Sequence, residues 1–371
     1  MLLLDSENAT INSARKVVVI STLDSVQNQL SQLLRSHGIE QVEVINRSLQ
    51  SEDIVLNAEE TVGVIIDIGD DTDVQHITEQ VNAIVPQQMW CCLVGCSDSI
   101  SLAQKLLEQN ILYFNRDSQL NLMMNRIVSS TMNIPNTRNT VKVCVLGCKG
   151  GVGASFIASQ IANVIAENKK VPVLLAQGTN GTQDLDLLFD KKLAGGVVAF
   201  EENLDLLNGD FKQLSLEERQ KYNFIIYDQP IFNVSKDEQI GFFDIANSFV
   251  LVVDRHPNSL RIAKRFLELC ERRKAQTGQL IRTFICVIDS RMEHATLMSK
   301  ADIESLLGSP VDAVIPFLRK TSAPTVLSIK LSKNMTKSIT ELTLKIIGVL
   351  SRTAKKEKNS VLKAIWQKIL R

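Results

Sequence analysis

The chain has 371 residues, 44% hydrophobic and 22% charged, an ordinary balance for a soluble globular protein of two or three domains. Its 41 basic and 41 acidic side chains cancel, so the overall charge gives no sign of a nucleic-acid partner. No apolar run approaches the roughly 20 residues that span a bilayer, and the opening MLLLDSENATINSAR reads as too short and too acidic for a signal peptide. The seven cysteines are an odd number, most lie inside apolar runs, and no CxxC pair occurs. They read as small buried thiols of a reducing cytosol, not as zinc ligands.

Short apolar runs alternate with helical patterns along the chain, which predicts parallel α/β sheets. The first set is KVVVIS (16–21), VEVIN (42–46), GVIID (63–67), MWCCLVG (89–95) and ILYFN (111–115). With the segments between them and a last helix at about 118–132, this gives five strands and five helices, a domain over 1–132. NIPNTRNT (133–140) is polar, has one proline and no periodicity, and reads as a linker. The second set is VKVCVLG (141–147), VPVLLAQ (171–177), NFIIYD (223–228), SFVLVVD (248–254), TFICVID (283–289) and DAVIP (312–316). Helices are expected at 155–167, 258–275, 299–307 and about 336–352, a domain over 141–353. The six cations of the 258–275 helix read as a solvated face. Phe242 and Phe243 read as core or dimer contacts, and His256 and His294 receive no function.

Residues 354–371 differ in character. They carry six cations against Glu357, a net +5, and Val361, Leu362, Ile365, Trp366, Ile369 and Leu370 fall on one helical face. A short basic amphipathic helix with a tryptophan suits an interfacial membrane anchor; packing on a protein surface is the alternative use of the same face.

Asp67 ends the third strand of a βα series, and there the first domain resembles a response-regulator receiver. That family needs an acidic pair after the first strand and a lysine ending the fifth. Here Ser21–Asp24 lacks the pair, and Asn115 and Arg116 stand at the lysine position. The resemblance therefore implies a degenerate receiver, a docking module in which Asp67 is an acidic residue at a strand end.

GCKGGVGAS (147–155) joins an apolar strand to an apolar-periodic helix. Such a loop turns backbone N–H groups toward phosphates, and the helix dipole favours an anion. Gly150, Gly151 and Gly153 allow the tight path, and Ser155 supplies the hydroxyl that binds Mg²⁺. Cys148 replaces the first glycine of the Walker pattern, and Ala154 replaces its lysine. KGGVG resembles the deviant Walker A of the MinD/ParA ATPases, in which the lysine corresponding to Lys149 reaches across a nucleotide-sandwiched dimer. KGGVGAS after a receiver-like domain, with LMSKADIESLLGSPVDAVIPF (297–317) downstream, is more closely similar to the TadZ/CpaE branch, localisation factors of Flp (tight adherence) pili.

The resemblance implies an α/β fold throughout: a flavodoxin-like receiver domain, then a P-loop MinD/ParA domain with a mostly parallel sheet. It assigns Lys149, Gly150, Gly151, Val152, Gly153, Ala154, Ser155 and Asp228 to ATP, with Ser155 and Asp228 also holding Mg²⁺; Asp228 opens the D-x-P motif. The family's two switch acids fall on Gln177 and Thr179, and Asp186 matches only the LD that follows. Catalysis of phosphoryl transfer is positioning and charge, so these losses predict little turnover, and no catalytic residue is assigned. The expected function is a scaffold that recruits pilus assembly machinery to the inner membrane, usually at a pole. It would be a cytoplasmic, membrane-peripheral homodimer with no nucleic-acid partner. The competing expectation is an active switch ATPase that cycles on the membrane.

Overall fold

In the first strand every residue after Lys16 is buried. Val17 and Val19 pack into one apolar cluster, and Val18 and Ile20 into another. Alternate side chains of a strand point to opposite faces, so this strand is covered on both sides, as parallel sheets require. The computed structural model describes residues 15–51, 53–128, 138–193, 195–289, 298–318 and 323–349. They form two compact units, the first taking in residues up to Asn139 and the second Thr140–Asn168 with Pro172–Leu350.

The first unit runs β1 (Lys16–Ile20), α1 (Asp24–Ser36), β2 (Val42–Ile45), β3 (Thr61–Asp67), α2 (Val74–Ile84), β4 (Trp90–Gly95), α3 (Ile100–Glu108), β5 (Leu112–Asn115) and α4 (Leu120–Val128). The sheet order is β2-β1-β3-β4-β5, every pair parallel. That is the flavodoxin-like order, with its switch point at the β1 and β3 ends. Four helices are present among the described residues, not five. The β2–β3 connection is irregular, and Leu49, Ile54 and Leu56 are buried there without helical spacing.

Most of the expected linker, residues 133–137, lies outside the described residues, but its end does not behave as one. Arg138 is 1% exposed within the first unit. Its guanidinium donates to the carbonyls of Val85 (2.6 Å), Pro86 (2.7 Å) and Met89 (3.0 Å). Its backbone N–H donates to Gln87 Oε1 at 2.9 Å, and Gln87 Nε2 donates back to the Arg138 carbonyl at 3.1 Å. The cation thus serves carbonyls just past the C-terminus of α2, where the helix leaves acceptors and negative potential.

The second unit runs β6 (Val141–Gly147), α5 (Ala154–Lys169), β7 (Val173–Gln177), α6 (Leu185–Phe189), β8 (Val198–Glu201), β9 (Leu204–Asn208), α7 (Leu216–Gln220), β10 (Phe224–Pro230), α8 (Lys236–Gly241), β11 (Ser248–Val253), α9 (Pro257–Thr277), β12 (Arg282–Ile288), α10 (Lys300–Leu307), β13 (Ala313–Ile315) and α11 (Lys333–Ile346). Its sheet order is β13-β12-β11-β6-β10-β7-β9-β8. All pairs are parallel except β8 with β9, an edge hairpin absent from the sequence expectation. The helix α9 starts with Pro257 at its first position and ends at Gly278, in the left-handed region at φ 65. Leu260, Ala263, Phe266, Leu267 and Cys270 form its buried stripe. Phe242 and Phe243 belong to the core: Phe243 lies 5.5 Å from Phe249 and 5.7 Å from Phe266, ring centre to ring centre. All seven cysteines are free thiols, and six are buried. Residues 354–371 and His294 lie outside the described residues. Among those described, no helix is long and apolar enough to cross a membrane.

Candidate phosphate-binding site

Four neighbouring strands of the second unit, β11, β6, β10 and β7, end along one edge. The chain leaves β6 toward β7 and later returns to β11 on the other side, so this edge is a topological switch point. The loop 148–153 leaves β6 there. Gly151 (φ 69) and Gly153 (φ 91) occupy the left-handed region that only glycine enters cheaply. Cys148 N–H donates to the Val252 carbonyl at 3.0 Å, anchoring the loop to β11. Cys148 itself is buried, and burial pushes its thiol far up. The first i→i−4 bond of α5 is Ile157 N–H to the Gly153 carbonyl, 3.1 Å. The N–H groups of Ala154, Ser155 and Phe156 precede it and face the helix N-terminus, the arrangement that receives anions.

The remaining groups divide into two pairs. Lys149 Nζ lies 2.6 Å from Asp254 Oδ2, one residue past β11. Asp254 is buried and also accepts from His256 N–H at 3.1 Å. His256, left without function in the sequence, is the N-cap of α9. On the other side, Ser155 Oγ donates to Asp228 Oδ2 at 2.6 Å. Gln177, at the end of β7, is 1% exposed and aligned with Asp228 across the β7–β10 ladder. Its Nε2 lies 3.0 Å from Asp228 Oδ2, 3.0 Å from Asp184 Oδ1 and 3.3 Å from Ser155 Oγ. Burial pushes the Asp228 carboxyl up to about 6; hydrogen bonds from Ser155 and Gln177 oppose this, and Asp184 adds to it.

The structure therefore gathers Lys149, the glycines, Ser155 and Asp228 at one strand edge. Ala154 occupies the first turn of α5 with no charge to offer, and Val152 is buried. Thr179, at the second acidic position of the family, is exposed in the turn after β7. Sequence reasoning missed Asp184 and Asp254. Asp254 carried a signal, an acid closing the apolar run SFVLVVD; Asp184 carried none, since it falls on neither expected motif position. Gly178 is closely covered: a Cβ there would stand 1.2 Å from Gln229 Nε2 and 2.4 Å from Tyr227 Oη, so both side-chain ends would have to shift.

In the first unit Asp67 sits at the switch-point edge, 9% exposed. Ser21 Oγ donates to its Oδ2 at 2.7 Å, Gly69 N–H donates to its Oδ1 at 3.0 Å, and Arg116 Nη1 lies 3.8 Å away. Asn115 Oδ1 accepts from the N–H groups of Asp117 and Ser118 and so shapes the loop after β5. Both Asp67 oxygens thus have donors from the protein.

No protein-family model matches the chain, and no curated protein matches it. Solved structures do superpose on it. A chain of the MinC:MinD cell division complex of Aquifex aeolicus is 19% identical and aligns over 58% of this chain and 99% of its own, at a TM-score of 0.46. A ParA family ATPase from Chlorobium tepidum is 18% identical over 55% and 98%, at 0.39. The septum site-determining protein MinD of Pyrococcus horikoshii, complexed with Mg-ADP, is 16% identical over 56% and 96%, at 0.40.

Proposed function

We propose that the chain is a localisation scaffold of the MinD/ParA type, with a receiver-like docking domain, that recruits pilus assembly machinery to a site on the inner membrane. The observation that carries the reading is the condition of the phosphate cradle. Loop, helix N-terminus, Ser155 and Asp228 are all in register, yet Ala154 supplies no cation and Gln177 supplies no carboxylate. Loss of one preorganised charge or donor costs about 3 kcal/mol of transition-state stabilisation. A cradle stripped at several positions suits holding a nucleotide better than hydrolysing one. ATP bound at 149–155 would act as a structural ligand that favours a homodimer, with Lys149 exchanging Asp254 for phosphate. The receiver-like unit supports a docking role, because Asp67 is already satisfied by Ser21 and Gly69. Membrane contact in this reading comes from residues 354–371.

Phosphate release from ATP by the purified full chain tests the proposal. The wild type should release no more phosphate than Asp228→Ala. Metal-dependent turnover abolished by Asp228→Ala would overturn the scaffold reading in favour of a switch ATPase.

A further inference from the structure

Three oxygens from three segments converge on one atom. Ser155 Oγ opens α5, Asp228 Oδ2 comes from β10, and Asp184 Oδ1 precedes α6. All lie 3.0 to 3.3 Å from Gln177 Nε2. A hydroxyl and two carboxylates aimed at a point are the donor set of a hard divalent cation. Here a neutral N–H donor occupies that point.

The amide is held firmly. Gln177 lies between β9 and β10 in the sheet, paired with Asn208 and Asp228, and its carbonyl accepts from Gly209 N–H at 2.8 Å. Its Oε1 is buried with no hydrogen-bond partner. Rotating the amide would not help, because Oε1 would then face two carboxylates. The side chain thus leaves its own acceptor stranded, at a cost of about 1–3 kcal/mol, in order to point its donors at the three oxygens. Among the described residues no group of three or more His, Cys, Asp or Glu is placed to hold a metal ion. The Mg²⁺ that the Walker pattern implies would need Ser155 Oγ and Asp228 Oδ2, and the Gln177 amide already stands against both, so the ion does not fit the donor set as it stands.

We propose that the Gln177 amide permanently takes the place of the divalent cation, so that this edge of the sheet receives a phosphate group without metal. The proposal rests on taking 149–155 as a phosphate cradle. A phosphate there is met by the N–H groups of the loop and of Ala154, Ser155 and Phe156, while the amide keeps Asp228 and Asp184 from repelling each other and the ligand.

Mn²⁺ alone is the first probe, followed by the magnetic resonance signal of the free ion during titration with the full chain. The wild type should leave the signal undiminished. Gln177→Glu, which turns the amide into a third carboxylate, should bind Mn²⁺ at least about tenfold more tightly, and adding Asp228→Asn should reverse the gain. Gln177→Ala, which empties the position, should show a smaller gain in the same direction and serves if the glutamate variant does not fold. Stoichiometric Mn²⁺ uptake by the wild type that Asp228→Asn removes would overturn the proposal. So would Mn²⁺ affinity unchanged from wild type in whichever of the two Gln177 variants folds. As a second probe, a fluorescent ADP analogue should bind the wild type equally in Mg²⁺ and in chelator, and a tenfold preference for Mg²⁺ would count against the amide. Absence of ADP binding under both conditions would instead remove the phosphate-cradle reading, while the Mn²⁺ arms would still decide what Gln177 replaces.

Discussion

Arg138 gives the sharpest test of how the first unit ends. If 133–140 were only a tether, Arg138→Met would be neutral, within about 0.5 kcal/mol as for most surface exchanges. The structure says otherwise. Methionine reproduces the stem of the side chain but carries no donor, so the carbonyls of Val85, Pro86 and Met89 lose the guanidinium they share. At about 1 kcal/mol for each of the three hydrogen bonds lost, the cost is about 3 kcal/mol. For a domain somewhat above 100 residues that lowers the melting temperature by about 9–18 °C. Arg138→Lys should do no better. An ammonium on a flexible stem cannot reproduce the planar fork that reaches three carbonyls, and it is more strongly hydrated. The chain contains two tryptophans, and Trp90 lies in β4 of the first unit. In a Trp366→Phe background, thermal unfolding followed by Trp90 fluorescence therefore reports that unit. A shift below about 2 °C for Arg138→Met would refute the reasoning.

Other outcomes follow from the second unit and the tail. Burial raises Asp228 from 3.8 to about 6, so the folded state holds its proton more tightly than the unfolded chain does. That contribution is fully present below about pH 4 and is lost as pH rises through the folded value, about 3 kcal/mol in all. Asp228→Asn should thus be more stable than wild type in urea at neutral pH and lose the advantage near pH 4; a difference independent of pH would be the contrary result. Gly178→Ala should cost more than about 2 kcal/mol, since its Cβ would fall on the Gln229 amide. Urea midpoints equal to wild type would show that the loop yields freely. Removal of residues 355–371 should abolish sedimentation with anionic liposomes, and equal sedimentation of both chains would dismiss the lipid anchor.

Much of the strand content was legible because buried parallel strands are apolar runs: VKVCVLG is Val141–Gly147 residue for residue. The edge hairpin was not legible, because β8 is half exposed and lacks such a run. The short helices α7 and α8 span one turn or so, too little for periodicity, although Ser215 with Glu218 and Ser235 with Glu238 form capping boxes readable as S-x-x-E. The missing helix between β2 and β3 was miscounted for the opposite reason, since apolar residues occur there without a helical face. At the site, motif matching located Lys149, Ser155 and Asp228. It could not find Asp254 and Asp184, because their place beside the loop is set by strand order and by the turn before α6. Arg138 was read as polar chain because burial of a cation depends on carbonyls some fifty residues away.

Asp67 carries a practical consequence for genetics. Exchanging it for glutamate, the usual imitation of a phosphorylated aspartate, would lengthen a side chain whose oxygens already hold Ser21 and the Gly69 amide. The substitution would loosen the tips of β1 and β3 together. Any phenotype it gave would measure damage to that corner of the domain, and a signalling state could not be inferred from it.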